Sequence, residues 1–366
     1  MNPVAPDAMT VLVVLPNWLG DVVMATPLLQ KLADARDTRG RTIRIVAAVR
    51  DSWAPLLNED PRLADTLIYA RGGRHAGWRG AWSLAANWRQ ISAAGTVLCP
   101  PSFRVAMVAT LAGVGRRVGY RTDGRRLLLN RSLPPELPRG VMHHADELCA
   151  LGDVLLNDLG LVADGGEPGP PALPGLDGVP AAGTGQGPPV WVLAPGATYG
   201  SAKAWPASRA AEFLRLAVTE RGVRVAVVGD GAGTAITDAI RREAADLNWR
   251  QTWSGEAGVI DMVGKTSLLQ LVGVLRSARA FLGNDSGVMH LSAALGVPTL
   301  GLFGSSSVAW TAPRGRRARA LAAAGFPCQP CFQSVCSHER FCLDTISGVD
   351  AMSALEELLN NGRKDA

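Results

Sequence analysis

Residues 10–21 read Thr-Val-Leu-Val-Val-Leu-Pro-Asn-Trp-Leu-Gly-Asp, an apolar run that ends in a short polar loop. A continuous apolar run rich in β-branched side chains is typical of a strand buried on both faces of a parallel sheet. The next segment, Val22–Leu32, has the pattern of a helix, in which Pro27 either makes a kink or begins a new first turn. The sequence therefore predicts a strand, a loop and a helix at the start of an α/β domain.

The same alternation of strands and helices occurs on both sides of a stretch rich in Gly and Pro. Fifteen of the 26 residues at 164–189 are Gly or Pro, a composition that favours extended or turn conformations without a packed core. We therefore predict a Rossmann-like, doubly wound parallel-sheet domain at 1–163, a linker at 164–189, a second such domain at 190–347, and a C-terminal helix and tail at 348–366. Two domains of this kind are expected to face a central cleft, with ligands beyond the carboxyl ends of the strands.

The composition is that of a globular protein. Of its 366 residues, 47% are hydrophobic and 19% are charged, so two domains with sizeable cores are expected. No apolar run reaches the roughly 18–20 residues of a membrane span, and the N-terminus lacks the pattern of a secretory signal, so we expect neither. Six cysteines in this length indicate free thiols in a reducing cytosol rather than a disulfide framework.

The excess positive charge lies in the first half. Residues 1–160 contain 19 Lys and Arg against 14 Asp and Glu, whereas residues 161–366 contain 18 of each kind. Six arginines lie within 116–131. Such a run is usually a solvated face, but it also suits an anionic partner such as a phosphorylated lipid, an acidic sugar or nucleic acid. No RNA-binding motif accompanies it, so we expect no nucleic-acid partner.

A carboxylate lies at the junction between the first loop and its helix. Asp21 follows Gly20 at this point. One interpretation is that Asp21 caps the helix, whose positive end favours its charge. The other is that its carboxylate points into the cleft and serves as a general base.

The loop at 195–206 has the groups expected of a phosphate site. It reads Pro-Gly-Ala-Thr-Tyr-Gly-Ser-Ala-Lys-Ala-Trp-Pro. It offers backbone N–H groups, the hydroxyls of Thr198 and Ser201, and Lys203, one of only four lysines in the chain. The alternative is a mobile loop with a solvated lysine.

The segment at 283–290, Gly-Asn-Asp-Ser-Gly-Val-Met-His, is the densest polar cluster and follows a predicted strand. Ser286 and Gly287 would present N–H groups to an anion, and Asp285 would accept hydrogen bonds from sugar hydroxyls. His290 would either face the cleft or lie hydrogen-bonded in the core. Coming after the Lys203 loop, this cluster predicts a diphosphate site.

A glycine-rich loop, Gly-Asp-Gly-Ala-Gly, occupies 229–233. It matches neither the GxGxxG fingerprint of dinucleotide-binding folds nor the P-loop, so both are rejected. Asp230 in this loop would either hold a ribose hydroxyl or cap the next helix.

Four cysteines lie close together near the C-terminus. Cys328, Cys331, Cys336 and Cys342, with His338 nearby, have the density of a zinc site, but their spacing is irregular for one. Free thiols packed under a loop are the interpretation we prefer, and we expect no metal.

In order and together, these motifs resemble glycosyltransferase family 9, the ADP-heptose:lipopolysaccharide heptosyltransferases, and most closely the heptosyltransferase II branch. Four blocks carry the resemblance: Val-Leu-Pro-Asn-Trp-Leu-Gly-Asp-Val-Val-Met at 14–24, the loop at 195–206, Asn-Asp-Ser-Gly-Val-Met-His at 284–290, and Leu-Phe-Gly-Ser-Ser at 302–306. The stretch Pro-Cys-Gln-Pro-Cys-Phe-Gln at 327–333 resembles a subset of that branch. The resemblance implies a GT-B fold and an inverting transfer without a metal or other cofactor.

The resemblance also implies roles for individual residues. Asp21 would be the base that deprotonates the acceptor hydroxyl. The donor-binding residues would be Thr198, Lys203, Asp230, Thr266, Asp285, Ser286, Gly287 and His290. On the acceptor side we predict Asn17, Ser102, Arg116, Arg117 and Arg121. Pro101 stands where the branch usually has Asn, and the loop at 229–233 lacks the usual acidic pattern, so the acceptor and the ribose ligand are less well specified than the fold.

The implied donor is ADP-L-glycero-D-manno-heptose, and the implied acceptor is the heptosyl-Kdo end of a lipid A core. This acceptor is anionic, as the basic first half of the chain also suggests. We accordingly expect a monomeric enzyme in the cytoplasm, associated peripherally with the inner membrane. Two alternatives stay open: a family 9 transferase with another nucleotide sugar or acceptor, and a non-catalytic GT-B scaffold that binds nucleotide or lipid.

Overall fold

The computed structural model describes residues 8–361 except 71–72, 164–165, 167–168, 183–187, 197 and 254. The chain forms two compact units, unit 1 (Met1–Asp177) and unit 2 (Gly178–Ala366). The boundary falls within the Gly/Pro-rich stretch at 164–189. The predicted tail beyond residue 361 and Ala197 of the 195–206 loop lie outside the described residues.

Unit 1 alternates strands and helices along most of its length. Its strands are β1 (Met9–Val14), β2 (Ala35–Arg36), β3 (Ile43–Arg50), β4 (Leu63–Tyr69), β5 (Gly95–Leu98), β6 (Arg117–Tyr120), β7 (Arg131–Leu133) and β8 (Val162–Ala163). Its helices are α1 (Leu19–Met24), α2 (Thr26–Asp34), α3 (Gly77–Gln90), α4 (Phe103–Leu111) and α5 (His144–Leu159). Pro27 occupies the first turn of α2 and so separates it from α1, which is the second of the two alternatives for this proline.

Six of these strands form one parallel sheet in the order β4-β3-β1-β5-β6-β7. This is the order of a Rossmann sheet, and its direction of winding reverses between β1 and β5. One face packs against α3 and α4, with Trp88 and Leu98 in the core between them. The remaining strands, β2 and β8, form a short antiparallel pair.

Part of the Gly/Pro-rich stretch is packed against unit 1. Leu173 and Leu176 are buried at 3% and 2% exposure. The backbone N–H of Ala172 donates to Thr26 Oγ1 at 3.1 Å, and the Arg62 guanidinium donates to the Ala172 carbonyl at 3.0 Å. Two leucines thus give this segment an apolar contact that its overall composition did not indicate.

Unit 2 repeats the alternation. Its strands are β9 (Val190–Ala194), β10 (Arg224–Val227), β11 (Trp249–Arg250), β12 (Gly258–Asp261), β13 (Ala278–Asn284), β14 (Thr299–Phe303) and β15 (Ala318–Ala322). Its helices are α6 (Ala207–Arg215), α7 (Thr234–Glu243), α8 (Leu268–Ser277), α9 (Gly287–Ala294), α10 (Val308–Thr311) and α11 (Gly348–Asn361). A π-helical turn, Leu216–Glu220, extends α6.

The strands of unit 2 form a parallel sheet in the order β11-β12-β10-β9-β13-β14-β15, whose winding reverses between β9 and β13. The core contains Trp191, Trp205 and Phe213, with ring centroids 6.2 Å apart in both neighbouring pairs. The indole N–H of Trp205 donates to the Ile346 carbonyl at 3.0 Å. This contact anchors the C-terminal end of the 195–206 loop, which carries Lys203, to the rest of the unit.

The predicted fold class is confirmed for both units, since each contains a doubly wound parallel sheet. None of the helices in the described residues combines the length and apolar character that a membrane crossing requires.

Candidate functional site

Each sheet places a group of polar side chains at its winding reversal. In unit 1 the loops after β1 and β5 carry Asn17 and Ser102, and Asp21 lies in the first turn of α1, which follows β1. In unit 2 the loops after β9 and β13 carry Lys203 and Asp285. Ligands of doubly wound sheets bind beyond the carboxyl ends of strands at such a reversal, so both positions are candidate sites.

An ion pair joins the two loops of unit 2. Lys203 Nζ lies 2.6 Å from Asp285 Oδ2, with the lysine side chain 19% exposed and the aspartate side chain 5% exposed. The His290 ring lies near the other oxygen of the same carboxylate, with Nε2 at 3.8 Å from Asp285 Oδ1. His290 is itself only 4% exposed, so it is a buried side chain that also lies next to the Lys203–Asp285 pair.

Asp285 is ionised in this setting. Burial alone would raise its pKa, but the His290 ring and the Lys203 ammonium outweigh burial and hold the pKa of Asp285 well below its usual range. A permanent carboxylate at the end of β13 accepts hydrogen bonds and donates none. It therefore suits a sugar hydroxyl better than a phosphate, as the sequence suggested.

The N-terminus of α9 lies directly after Asp285. Ser286 occupies the N-cap position, yet its side chain makes no capping hydrogen bond. Its Oγ is buried and has no hydrogen-bond partner among the described residues. The first turn of α9 thus presents N–H groups and a hydroxyl beside an ammonium, a combination that favours an anion.

The remaining predicted donor residues also lie at this edge of the sheet. The Thr198 hydroxyl donates to Asp230 Oδ2 at 3.0 Å, which joins the loops after β9 and β10. The idea that Asp230 caps the next helix is wrong, because its side chain makes no capping bond and Gly233 is the N-cap of α7. Thr266 lies in the loop after β12, which is tied to the 229–233 loop by a hydrogen bond from Gly264 N to the Gly229 carbonyl at 2.9 Å.

Sequence reasoning missed the segment that holds the Lys203 loop in place. The Tyr199 hydroxyl donates to the Phe332 carbonyl at 3.0 Å, and Ala202 N donates to the Ser334 carbonyl at 3.0 Å. A Cβ on Gly200, whose φ is +153°, would lie 2.2 Å from the Ser334 oxygen, so this close approach requires glycine. The block at 327–333 was noted as a family signal, but nothing in the sequence indicated that it packs against the loop at 195–206.

Two buried hydroxyls at the end of β14 were also missed. Ser305 and Ser306 are 2% and 7% exposed, and neither Oγ has a hydrogen-bond partner among the described residues. Both belong to the block at 302–306, which sequence reasoning used only as a family signal. Buried hydroxyls without partners are uncommon, and they mark the edge beside the 283–290 segment as a polar environment.

The four clustered cysteines line one open pocket, together with His338. All are free thiols, and burial raises the pKa of Cys342. Within the described part of the chain, no group of three or more His, Cys, Asp or Glu side chains is arranged to hold a metal ion. The structure therefore offers no support for the zinc alternative.

In unit 1, the loop after β1 is tied to its neighbours. Asn17 Oδ1 accepts a hydrogen bond from the Tyr69 hydroxyl at 2.9 Å, and its carbonyl accepts one from Trp53 Nε1 at 2.9 Å. Trp18 is the N-cap of α1, and Asp21 is the third residue of that helix and half-buried. The interpretation of Asp21 as the N-cap residue is therefore wrong.

A buried arginine holds the loop after β5. Arg125 is 0% exposed, and its guanidinium donates to the carbonyls of Leu98, Pro100 and Tyr120. Burial lowers its pKa to about 10. This loop leads to Ser102, the N-cap residue of α4. The Ser102 side chain makes no capping hydrogen bond, and the Phe103 N–H donates instead to Asp123 Oδ2 at 2.7 Å.

The predicted acceptor arginines are not brought together. Arg121 is exposed and directly follows β6, at the same edge as Asn17 and Ser102. Arg117 begins β6 and Arg116 precedes it, so both lie at the opposite, amino-terminal edge. Arg116 is also paired with Asp158, its Nε at 3.1 Å from Oδ2. The arginine run at 116–131 is therefore not one continuous binding face.

Comparison with known proteins identifies the family. The model of the family described as "Glycosyltransferase family 9 (heptosyltransferase)" matches residues 84–341. The chain belongs to glycosyltransferase family 9. Lipopolysaccharide heptosyltransferase 2 of Escherichia coli (strain K12) is 29% identical over 332 residues, covering 86% of this chain and 88% of that protein. Its counterpart from Salmonella typhimurium (strain LT2) is 28% identical over 347 residues, with the same coverage.

Solved structures of family 9 agree with the fold. The structure of E. coli ADP-heptose lps heptosyltransferase II has a TM-score of 0.71 at 24% identity, covering 97% of this chain and 100% of that one. E. coli heptosyltransferase WaaC with ADP has a TM-score of 0.70 at 17% identity, covering 96% and 100%. The two parallel-sheet units are thus those of the GT-B fold, and this family 9 member is a glycosyltransferase.

Proposed function

We propose that this chain is an inverting, metal-independent heptosyltransferase that transfers heptose from ADP-L-glycero-D-manno-heptose to the heptosyl-Kdo-lipid A inner core of lipopolysaccharide. The observation that carries the proposal is the Lys203–Asp285 pair beside the N-terminus of α9, in a chain of family 9. The names of its relatives, heptosyltransferases 2 of E. coli and Salmonella, support the sugar and the pathway.

The donor binds unit 2 through its charged and its hydroxyl-bearing parts. The diphosphate lies against the Lys203 ammonium and the first N–H groups of α9, which stabilise the negative charge that develops on the leaving ADP. Asp285 accepts hydrogen bonds from heptose hydroxyls, and its ionised state fits that role. An ammonium and a helix N-terminus supply the positive potential for which other sugar transferases use a divalent cation.

The acceptor is activated by Asp21 of unit 1. The Asp21 carboxylate accepts the proton of the acceptor hydroxyl while the hydroxyl oxygen forms a bond to the anomeric carbon of the heptose. The bond from that carbon to the β-phosphate oxygen breaks, and its electron pair leaves with ADP. Because the oxygen attacks the face opposite the leaving group, the anomeric configuration is inverted.

The nucleotide preference is tested by thermal melting with ADP, UDP and GDP, each with and without Mg²⁺. We expect a shift specific to ADP that is present without metal. At about 100 times the dissociation constant, binding stabilises a protein by roughly 2.7 kcal/mol, which raises the melting temperature by several degrees. A preference for UDP or GDP, or strict dependence on Mg²⁺, would contradict the donor assignment, and no shift with any nucleotide would favour a non-catalytic scaffold.

Unit 1 docks on the anionic cytoplasmic face of the inner membrane through α3. Trp78 and Trp82 are 70% and 57% exposed and lie one turn apart on the same side of this helix. Exposed indole rings favour the membrane interface, and the excess positive charge of residues 1–160 attracts anionic lipid.

Vesicle binding tests this docking surface. The Trp78→Ser/Trp82→Ser variant is expected to bind vesicles containing phosphatidylglycerol at least about tenfold more weakly than the wild type, because both rings lose their apolar contact. Co-sedimentation measures the effect. Val349→Ser, which removes a half-exposed apolar side chain from α11 of unit 2, is the matched control and should bind as the wild type does. Equal binding of all three proteins would contradict the assignment.

A further inference from the structure

Unit 1 contains an open pocket at the carboxyl ends of β1 and β4, lined by residues of α3 and α4. Much of its wall is apolar, with Leu84 and Trp88 from α3 and Val105 from α4. The Trp88 ring is 1% exposed, and its indole N–H has no hydrogen-bond partner among the described residues. An apolar wall with a few convergent polar groups is the usual form of a small-molecule site.

Arg104 supplies the charge of this pocket. It lies in the first turn of α4, is half-buried, and donates through NH2 to the His75 carbonyl at 2.5 Å. No carboxylate lines the pocket or pairs with Arg104 in the described residues. A half-buried guanidinium without a counter-charge is costly, and an anionic ligand would remove that cost.

His75 adds a hydrogen-bond donor without adding charge. It is 3% exposed, and its Nδ1 accepts the Ala70 N–H at 3.1 Å. Burial and then the positive charges of Arg74 and Arg104 lower its pKa. The ring is therefore neutral near pH 7, with its hydrogen on Nε2.

The loop that carries His75 is fixed against α3. A Cβ on Gly80 would lie 2.2 Å from the His75 carbonyl carbon, so only glycine allows this approach. Ser102 and Asn17 complete the polar lining, and Asn17 is oriented by the Tyr69 hydroxyl. These contacts fix the position of the polar groups before any ligand arrives.

We propose that this pocket binds an anionic group of the sugar acceptor, with Arg104 as its charge partner and the apolar wall covering the sugar ring. The inference rests on the proposed function, because it assigns a part of the acceptor to unit 1. The shared chemistry is that of an oxyanion, either a sugar carboxylate or a sugar phosphate. Both fit the planar fork of a guanidinium and accept hydrogen bonds from His75 Nε2 and Ser102.

Transfer kinetics provide the first test. In Arg104→Gln, the KM for the acceptor should rise about 10- to 100-fold, the loss expected for a charge-assisted pair, while the KM for ADP-heptose stays the same. Arg39→Gln makes the same charge change at an exposed turn of unit 1 and should leave both constants unchanged. An unchanged acceptor KM in Arg104→Gln would overturn the proposal.

Binding without donor provides the second test and identifies the anion. Free Kdo, a sugar carboxylate, and mannose 6-phosphate are each titrated into the wild type and into Arg104→Gln, with binding followed by ligand-observed NMR. If the wild type binds Kdo more tightly than mannose 6-phosphate, the bound anion is a carboxylate. If it binds mannose 6-phosphate more tightly than Kdo, the anion is a phosphate. Binding of neither sugar, or equal binding by Arg104→Gln, would overturn the proposal.

The two proposals fail in different ways. A wild type that transfers no heptose from ADP-heptose but binds an anionic sugar through Arg104 would contradict the proposed function and leave the pocket assignment intact. A wild type that transfers heptose normally, with Arg104→Gln kinetically indistinguishable from it, would contradict the pocket assignment and leave the proposed function intact.

Discussion

Asp21→Asn is expected to lower kcat for heptose transfer by about 10²- to 10⁴-fold, the range found when a general base is removed. Asparagine has almost the same shape as aspartate but does not take a proton from the acceptor hydroxyl. Asp21 is the third residue of α1 rather than its N-cap, so the substitution removes no N-cap side chain and the fold should persist. Steady-state kinetics with saturating donor and acceptor measure the effect.

The control for this variant is another acid of unit 1. Asp34, the last residue of α2, accepts hydrogen bonds from Gln30 at 2.9 and 3.0 Å, and Asp34→Asn should keep wild-type kcat. The melting shift with ADP should be the same in both variants and the wild type, because the donor groups belong to unit 2. A kcat of Asp21→Asn within a few fold of the wild type would exclude Asp21 as the base.

Lys203→Met is expected to weaken ADP binding about 10- to 100-fold, because a charged hydrogen bond contributes roughly 1.5–3 kcal/mol. The same change should destabilise unit 2 by roughly 3 kcal/mol, since it leaves the carboxylate of Asp285 buried without its ammonium partner. Calorimetric titration of ADP and denaturant unfolding measure the two effects.

A second variant separates the two effects of Lys203. In Lys203→Met/Asp285→Asn the buried charge is gone as well, so most of the stability should return while ADP binding stays weak. Lys265→Met breaks an exposed pair with Asp261, 3.0 Å in length, and should change stability by less than about 1 kcal/mol. Normal ADP affinity in the stable double variant would exclude Lys203 as a phosphate ligand.

The pH dependence of this destabilisation has a defined sign. The folded-state pKa of Asp285 lies below its unfolded value of about 3.9, so its carboxylate stabilises the fold fully above that pH and loses the effect as pH falls further. The stability difference between the wild type and Lys203→Met should therefore be largest near neutral pH. Below about pH 4 it should shrink, because protonated Asp285 needs no ammonium.

Local sequence patterns determined the buried strands and the helices that follow them. The apolar run that starts at Thr10 forms β1 (Met9–Val14), because a continuous apolar run has its lowest free energy with both faces covered. Pro27 lies in the first turn of α2, because its missing N–H and fixed φ suit that position. The edge strands β7 and β15, and β6 beside β7, were not predicted, since their short segments become strands only through pairing with a neighbour.

The positions of Lys203, Asp285, Ser286 and His290 at the carboxyl ends of β9 and β13 were predictable from the sequence, because a loop after a parallel strand always emerges at that edge. Their pairing was not, since 82 residues separate Lys203 from Asp285 along the chain. The prediction likewise put Arg116, Arg117 and Arg121 together on the acceptor side. Strand direction places Arg116 and Arg117 at the amino-terminal edge of the sheet, whereas Arg121 lies at the edge that carries Asn17 and Ser102.

Sequence alone therefore determined which residue types follow which strands, because periodicity and backbone torsions depend on near neighbours. Only the tertiary structure decided which charged side chains have an oppositely charged partner and which do not. Asp158 forms an ion pair with Arg116, and Asp285 forms one with Lys203, whereas Arg104 has no carboxylate partner among the described residues. The physical reason is that a charge interaction depends on distance and burial in space, and the order of strands in a sheet sets both.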